Sequence, residues 1–190
     1  MKKILISLVS VVVFFTTSAF AKEVTLLMDW FPQGNQSGYW QAEFDNRYHT
    51  DVTIKVKAGG PKVNTTTAVA SGQVEFGLQA SDSVMLANAK GAGLKGIFVS
   101  LDHVPYTLVY HPNTGVNSVK DLDGRPFAVK MGVTYWKWVK HTYGLNNVKE
   151  FPLTGDLGLF ARTPQQFQQG YSLFLPARLD AKGVANEQIT

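Results

Sequence analysis

The sequence predicts an α/β protein in which strands and helices alternate along the chain around a mainly parallel sheet. Short apolar runs of strand-like composition recur along the chain, and segments with helical spacing separate them. Gly, Pro or Asn stand at many of the boundaries between these segments. Such an alternating order favours parallel strands that are joined by right-handed crossovers.

The strands of the first half are recognised by their apolar runs. Residues 51–57 alternate Val52, Ile54 and Val56 with polar side chains, which is the period of a strand. Helices are predicted where aromatic residues recur at helical spacing or where a Gly ends an apolar stretch. In chain order the predictions are a strand at 23–28, a helix at 38–48, a strand at 51–57, a helix at 65–72, a strand leading into a loop at 74–81, a helix at 81–91, and strands at 94–101 and 106–111.

The second half repeats this order. Its most regular helix ends at Gly144, and its core face is predicted from the i, i+3, i+4, i+8 spacing of Tyr135, Trp138, Val139 and Tyr143. The predicted elements are a helical turn followed by a strand at 117–129, a helix at 133–144, a strand at 147–153, a partly helical stretch broken by Pro164 at 155–170, and a strand followed by a helix at 171–183.

Residues 1–21 predict a cleaved secretory signal peptide. Two lysines precede an apolar run at 4–15, and Ala19-Phe20-Ala21 fits the small-x-small cleavage rule, so we expect cleavage after Ala21 and a periplasmic location. A membrane anchor is the alternative, but the run is shorter than the about 20 apolar residues that span a bilayer. No Cys follows the run, which excludes a lipid-anchored lipoprotein.

Composition excludes several classes of function. The chain has a net charge of +4, which falls to +2 without Lys2 and Lys3 of the predicted signal, and it contains no run of basic residues that would track nucleic acid. Without Cys there is no disulfide, thiolate metal site or Cys nucleophile. The four His residues lack metal-ligand spacing, and no nucleophile elbow or P-loop occurs, so we expect no metal and no cofactor.

Aromatic and polar residues follow the carboxyl ends of three predicted strands. Ligands of parallel sheets bind beyond these ends, so the three segments are expected to meet at one site. The stretch "DWFPQGNQSGYW" follows the first strand, "SD" follows the strand at 74–81, and "GVTYW" follows the strand "FAV". The candidate ligand-binding residues are Trp30, Asn35, Tyr39, Ser81, Asp82, Tyr135, Trp136 and Tyr171.

Most of these candidates have a structural alternative. Trp30 serves either as a stacking platform or as packing under its loop, and Asn35 can satisfy its own turn. One of Ser81 and Asp82 is expected to cap the following helix, which leaves the other for the ligand. Trp136 is rotated about 100° from the predicted core face of its helix, so a ligand contact is favoured there.

Four stretches together resemble one known family. They are "DWFPQGNQSGYWQAE", "GGPKVNTTTAVASGQVEFGLQASDSVMLANAKG", "SVKDLDGRPFAV" and "GVTYWKWVKHTYG". Over residues 24–183 the chain is similar to the thiamine-pyrimidine-precursor branch of the periplasmic substrate-binding proteins, which are soluble receptors of ABC importers. Members of the wider group bind sulfonates, nitrate, riboflavin-like molecules or pyrimidines.

The resemblance implies a type II periplasmic binding protein-like fold with two α/β lobes that close on a ligand. We expect lobe 1 at 22–110 and lobe 2 at 111–190. The resemblance further implies a planar, pyrimidine-like ligand that stacks on Trp30, a permease as partner, a monomeric state and no enzymatic activity.

The chain departs from the family pattern at three places. Gln36 stands where members usually carry His, and Leu175 stands where many carry Glu. Members normally continue beyond the position matching Thr190, so a truncated receptor with an incomplete first lobe is expected. Two alternatives follow: a thiamine-pyrimidine synthase, or a truncated remnant without ligand. The resemblance implies an active His and a Cys-rich iron site for the synthase, which Gln36 and the absence of Cys oppose.

Overall fold

The computed structural model describes residues 22–45 and 51–190. Within these ranges the strands form two sheets, with strand orders β2-β1-β3 and β6-β5-β7-β4-β8. The predicted signal peptide lies outside the described residues. None of the helices within the described ranges is long and apolar enough to cross a membrane.

The first sheet is parallel and centred on β1 (Lys22–Leu27). This strand pairs with β2 (Val52–Lys57) along its whole length and with β3 (Phe76–Gly77) at its carboxyl end. Val24 and Val56 are buried, as the apolar positions of the two strands require. The strands predicted at 23–28 and 51–57 are therefore confirmed.

Three helices accompany the first sheet. The side chain of Asn64 caps the second helix by accepting a hydrogen bond from the Thr67 N–H at 3.1 Å. Gly91, with a φ of 87°, follows the end of the third helix in the left-handed region, in agreement with the predicted stop. The helices are α1 (Ser37–Asp45), α2 (Thr65–Ala70) and α3 (Ser81–Ala89).

The second sheet combines parallel and antiparallel pairs. β5 pairs in parallel with β6 and β7, whereas β4 pairs antiparallel with β7 and β8. Parallel pairing predominates over the two sheets together, as predicted. The strands are β4 (Tyr106–Tyr110), β5 (Pro126–Val129), β6 (Lys149–Pro152), β7 (Phe167–Tyr171) and β8 (Glu187–Ile189), and the helices of this half are α4 (Thr134–Tyr143), α5 (Leu157–Arg162) and α6 (Leu175–Asp180).

The main core lies on both faces of the second sheet. Alternate residues of β4 point to opposite faces, so Leu108 and Tyr110 join one apolar cluster while Val109 joins another. The first cluster is centred on Phe127 and Phe167, which are completely buried. The second cluster holds residues of α5 and α6. The second sheet is thus covered on both faces, and the loops at its edge extend from a packed core.

The strand predicted at 94–101 is wrong. This segment has no regular secondary structure, and the side chains of Ile97, Phe98 and Val99 are 69–76% exposed. An apolar run becomes a strand only where a neighbouring strand offers its free backbone groups, and no described strand does so here. β4, placed at the end of the expected first lobe, is hydrogen-bonded into the second sheet. The division into lobes at residue 110 remains a prediction.

Candidate ligand-binding site

A cleft of about 520 Å³ lies where the carboxyl ends of β1 and β5 face each other. The turn after β1 and the amino-terminal ends of α2 and α3 form one wall, and the residues after β5 and along β7 form the other. This is the position at which α/β sheets bind their ligands. Residues of the cleft that carry polar or aromatic side chains include Asp29, Trp30, Lys62, Asn64, Gln79, Asp82, Tyr106, Lys130, Gln169, Tyr171 and Arg178.

The turn that presents Trp30 is fixed by close backbone packing. The Met28 N–H donates to the Lys57 carbonyl at 2.9 Å, and the Gly59 N–H donates to the Trp30 carbonyl at 3.0 Å. A Cβ atom at Gly59 would lie 2.1 Å from the Met28 carbonyl oxygen, so only glycine permits this approach. The Trp30 ring meets Phe31 edge-on at 5.6 Å and lines the cleft.

Lys130 connects the two walls of the cleft. Its Nζ donates to the backbone carbonyl of Asp29 at 3.0 Å and lies 5.4 Å from the centre of the Trp30 ring. The backbone N–H of Lys130 donates to Oε1 of Gln169 at 2.9 Å, which links the end of β5 to β7. Burial lowers the pKa of Lys130, and the negative charge of Asp29 opposes this shift. The Nζ hydrogen bond therefore links the two walls of the cleft, while burial makes the charged form of Lys130 less favourable.

Asp29 places a carboxylate in the same wall as Trp30. Its Oδ1 accepts a hydrogen bond from Nε2 of Gln36 at 3.2 Å, and Gln36 is only 1% exposed. Burial raises the pKa of Asp29, although the positive charge of Lys130 and the Gln36 hydrogen bond act in the opposite direction. Gln36 thus holds the carboxylate in place rather than facing the cleft itself, since it is absent from the cleft lining in the described ranges.

Three tyrosines pack together at the far wall. Tyr106 stacks on Tyr135 with ring centres 4.0 Å apart, and meets Tyr171 edge-on at 5.3 Å. Burial raises the pKa of all three phenols, that of Tyr171 to about 12, and the charges of Asp29 and Asp82 raise the pKa of Tyr106 and Tyr171 further. All three phenols are therefore neutral at neutral pH, and Tyr106 and Tyr171 line the cleft with groups that can donate hydrogen bonds.

The structure brings three of the predicted site residues to the cleft. Trp30, Asp82 and Tyr171 line it. Among the described cleft-lining residues, five predicted candidates are missing: Asn35, Tyr39, Ser81, Tyr135 and Trp136. Tyr135 supports the cleft from behind through its stacking on Tyr106. Whether the three lining residues contact a ligand remains a prediction.

Trp136 lies in the core, contrary to the predicted orientation of its helix. It is 3% exposed and packs on Phe127 with ring centres 4.5 Å apart, whereas Trp138 of the predicted core face is 61% exposed. The helix therefore buries the side that carries Trp136, because the apolar cluster around Phe127 provides the larger contact. A ligand contact by Trp136 has no support from this placement.

The predicted cap of α3 is also corrected. Ala80 occupies the N-cap position without a side-chain hydrogen bond, and Ser81 is already the first helical residue. Asp82 accepts a hydrogen bond from the Ser83 N–H at 2.6 Å and also lines the cleft.

The structure adds cleft residues that sequence reasoning missed. Asp29 directly precedes Trp30, and Lys130 directly follows β5, so the rule about carboxyl ends applies to both. Tyr106 begins an antiparallel strand, and Arg178 lies in α6. Nothing in the sequence pattern marks these two residues.

Comparison with known families gives one matching family model. The model described as NMT1/THI5 like matches residues 35–146. A curated relative, the 4-amino-5-hydroxymethyl-2-methylpyrimidine phosphate synthase of Legionella pneumophila subsp. pneumophila, is 27% identical over 116 residues. The aligned part is 57% of this chain and 34% of the relative, so the chain spans about a third of that protein's length.

Solved structures with the same fold include a periplasmic binding protein and a putative ABC transporter. The periplasmic aliphatic sulphonate binding protein SsuA from Escherichia coli matches with a TM-score of 0.56 and 14% identity, over 88% of this chain and 56% of that chain. A putative L-cystine ABC transporter protein from Listeria monocytogenes matches with a TM-score of 0.62 and 15% identity, over 88% and 77% of the two chains. The type II periplasmic binding protein-like fold expected from the resemblance is confirmed, as is the resemblance itself.

Proposed function

The chain belongs to the NMT1/THI5-like family, and from this we propose that it is an extracytoplasmic solute-binding receptor of an ABC importer. Its proposed ligand is a small planar nutrient of the thiamine-pyrimidine-precursor type, such as hydroxymethylpyrimidine or formylaminopyrimidine. One matching solved structure is named as a periplasmic binding protein and another as an ABC transporter, and both names support the receptor class. The pyrimidine rests on the family and on the name of the curated relative.

The observation that carries the proposal is the position of Trp30. Its ring lines a cleft of about 520 Å³, within the size range of small-molecule sites. Hydrogen-bonding groups line the same cleft, including Asp29, Lys130 and Tyr171. A flat heteroaromatic ligand would stack on the indole, which contributes about 0.5–1.5 kcal/mol beyond area burial, while its edge meets the polar groups.

The geometry favours binding over catalysis. Gln36 occupies the place of the active His that the synthase alternative requires, and its side chain is buried against Asp29 instead of facing the cleft. Within the described residues no group of His, Cys, Asp and Glu is arranged to hold a metal ion. We therefore propose no reaction step, and the synthase is the less favoured alternative.

The proposed mechanism is closure of the two walls on the ligand. Lys130 already joins the walls through the Asp29 carbonyl, so a ligand on Trp30 would add contacts between them. The closed form would differ in shape from the open form, so a permease could bind one form in preference to the other. The predicted periplasmic location and monomeric state belong to the same proposal.

Ligand binding by the purified exported protein tests the proposal. We would titrate hydroxymethylpyrimidine, formylaminopyrimidine, thiamine and taurine, following heat release and tryptophan fluorescence. Trp30→Ala should weaken pyrimidine binding at least about tenfold, which corresponds to roughly 1.4 kcal/mol. Trp138→Ala is the matched control, because this exposed tryptophan lies outside the cleft and its loss should leave the affinity unchanged.

Three results would contradict the proposal. Saturable binding of taurine alone would reassign the ligand class to sulfonates. Equal affinities of wild type and Trp30→Ala would remove Trp30 from the site. A folded wild-type protein that binds none of the compounds would reject the pyrimidine and favour the remnant alternative.

A further inference from the structure

We propose that Asp29 determines which planar rings bind in the cleft. A ring that carries an amino group should bind more tightly than the same ring with a carbonyl group at that position. This inference rests on the proposed function. It concerns a residue that the pattern of the sequence did not single out, and it names the chemical class of the ligand.

Asp29 lies beside the proposed stacking ring in the wall of the cleft. Asp29 and Trp30 are consecutive residues of one turn, and both line the cleft. The Gly59 hydrogen bond and the absence of a side chain at Gly59 hold this turn against the end of β2. A flat ring stacked on Trp30 would therefore bring exocyclic groups at its edge toward this carboxylate.

The Asp29 carboxylate can accept more hydrogen bonds than the protein supplies to it. An ionised carboxylate accepts hydrogen bonds at about four lone-pair positions and donates none. The Gln36 amide uses one of these positions, on Oδ1, from the buried side. The Lys130 Nζ donates to the backbone carbonyl of Asp29, and acts on the carboxylate through its charge. Acceptor capacity is therefore left for a donor on the ligand.

Among the described lining residues, Asp82 is the second acidic side chain. Its Oδ1 likewise accepts one hydrogen bond, from the Ser83 N–H at the start of α3, but Asp82 lies on a different segment from Trp30, whereas Asp29 directly precedes it. Leu175, where the family resemblance leads one to expect Glu, lines the cleft with an apolar side chain. Asp29 is thus the acidic side chain best placed to accept a hydrogen bond from a ligand stacked on Trp30.

The chemical consequence is discrimination between two similar rings. An amino group donates to the carboxylate, whereas a carbonyl in its place sets two acceptors against each other. Sites built to pair a particular polar group reject the mismatched analogue because buried groups are left without a partner. Tyr106 and Tyr171 are donors in this cleft, and the negative charges of Asp29 and Asp82 already lie near their hydroxyls.

Two probes that differ in one group test the inference. We would measure the affinity of the exported protein for 4-amino-5-hydroxymethyl-2-methylpyrimidine and for its 4-oxo analogue by calorimetry. Wild type should prefer the amino ring at least about tenfold. Asp29→Asn should lose most of this preference, because the amide can donate to the carbonyl. Asp102→Asn is the matched control, because it removes an exposed carboxylate outside the cleft and should keep the wild-type preference.

The outcomes separate the two proposals. If wild type binds neither ring, the proposed ligand class fails, and this inference fails with it. If wild type binds both rings equally, or if Asp29→Asn keeps the wild-type preference, the inference is overturned while the receptor function stands. If Asp29→Asn does not fold, Asp29→Ala provides the same comparison, and retention of the preference by that variant overturns the inference.

Discussion

Asp29 is held in a protein environment that disfavours its charge. Burial is the largest influence on its pKa and raises it, while Lys130 and Gln36 oppose the shift. Tyr106 and Tyr171 line the same cleft as neutral phenols, and the charges of Asp29 and Asp82 both raise the pKa of these phenols. A ligand amino group would offset part of this cost, so affinity for the ligand and stability of the empty protein are in conflict at this residue.

This conflict predicts the pH dependence of the Asp29→Asn variant. Because the folded-state pKa is raised, the stability contributed by this group is present below the unfolded-state pKa of about 3.9 and is lost as pH rises through the folded-state value. The empty variant should therefore melt a few degrees above wild type at pH 7.5. The difference should shrink toward pH 4.5.

Thermal unfolding of both proteins across this pH range, without ligand, is the measurement. Other titrating groups act nearly equally in both proteins, so the difference in melting temperature isolates Asp29. A variant that melts below wild type at pH 7.5 would show that the attraction of Lys130 outweighs the cost of burial.

The elements of the fold differ in how far the sequence predicts them. β1 and β2 carry apolar positions with the strand period and lie where expected. The helix α4 also lies where expected, but its rotation does not follow from its own residues. Aromatic side chains occupy several of its faces, and the partner decides which face is buried, through the pocket around Phe127. The strand prediction at 94–101 is wrong for the same reason, because pairing depends on which strand lies beside the segment in the folded chain.

The candidate site shows the same limit. The carboxyl-end rule located the turn at Trp30 and the start of α3, and it applies equally to Lys130. Tyr106 enters the cleft through the antiparallel pairing of β4 with β7, which sequence patterns do not encode. Gln36 departs from the family pattern, but its contact with Asp29 depends on how the turn after β1 folds, which the sequence pattern does not encode.

The rotation of α4 gives a prediction at the scale of the element. Trp136→Ala should cost about 3–5 kcal/mol of stability, because it empties a large buried volume next to Phe127. Trp138→Ala should change stability by no more than about 0.5 kcal/mol, because its ring is mostly in solvent. Urea unfolding of the two variants makes the comparison. A larger loss for Trp138→Ala would restore the helix orientation that the sequence pattern predicted.

At the scale of the whole molecule, apolar surface is distributed unevenly. The second sheet has apolar clusters on both faces, whereas β3 is an edge strand of the first sheet, and residues 95–104 are exposed throughout. Single exposed apolar side chains are common on proteins, but a contiguous stretch favours association. The segment also has the composition of a strand, so it can pair with another chain through its backbone. We therefore expect this segment to favour self-association over the predicted monomeric state as the protein concentration rises.

We therefore predict that self-association of the exported protein depends on this stretch. Phe98→Lys places a charge in the middle of it and should lower both the binding of a hydrophobic dye and the weight-average mass at high concentration. Leu173→Ser is the matched control, because Leu173 is 62% exposed but lies outside the stretch. Analytical ultracentrifugation over a concentration series gives the mass. Since Phe98 lies outside the cleft, Phe98→Lys should retain the ligand affinity of wild type. A variant that stays as associated as wild type would show that residues 95–104 are covered by their own chain in solution.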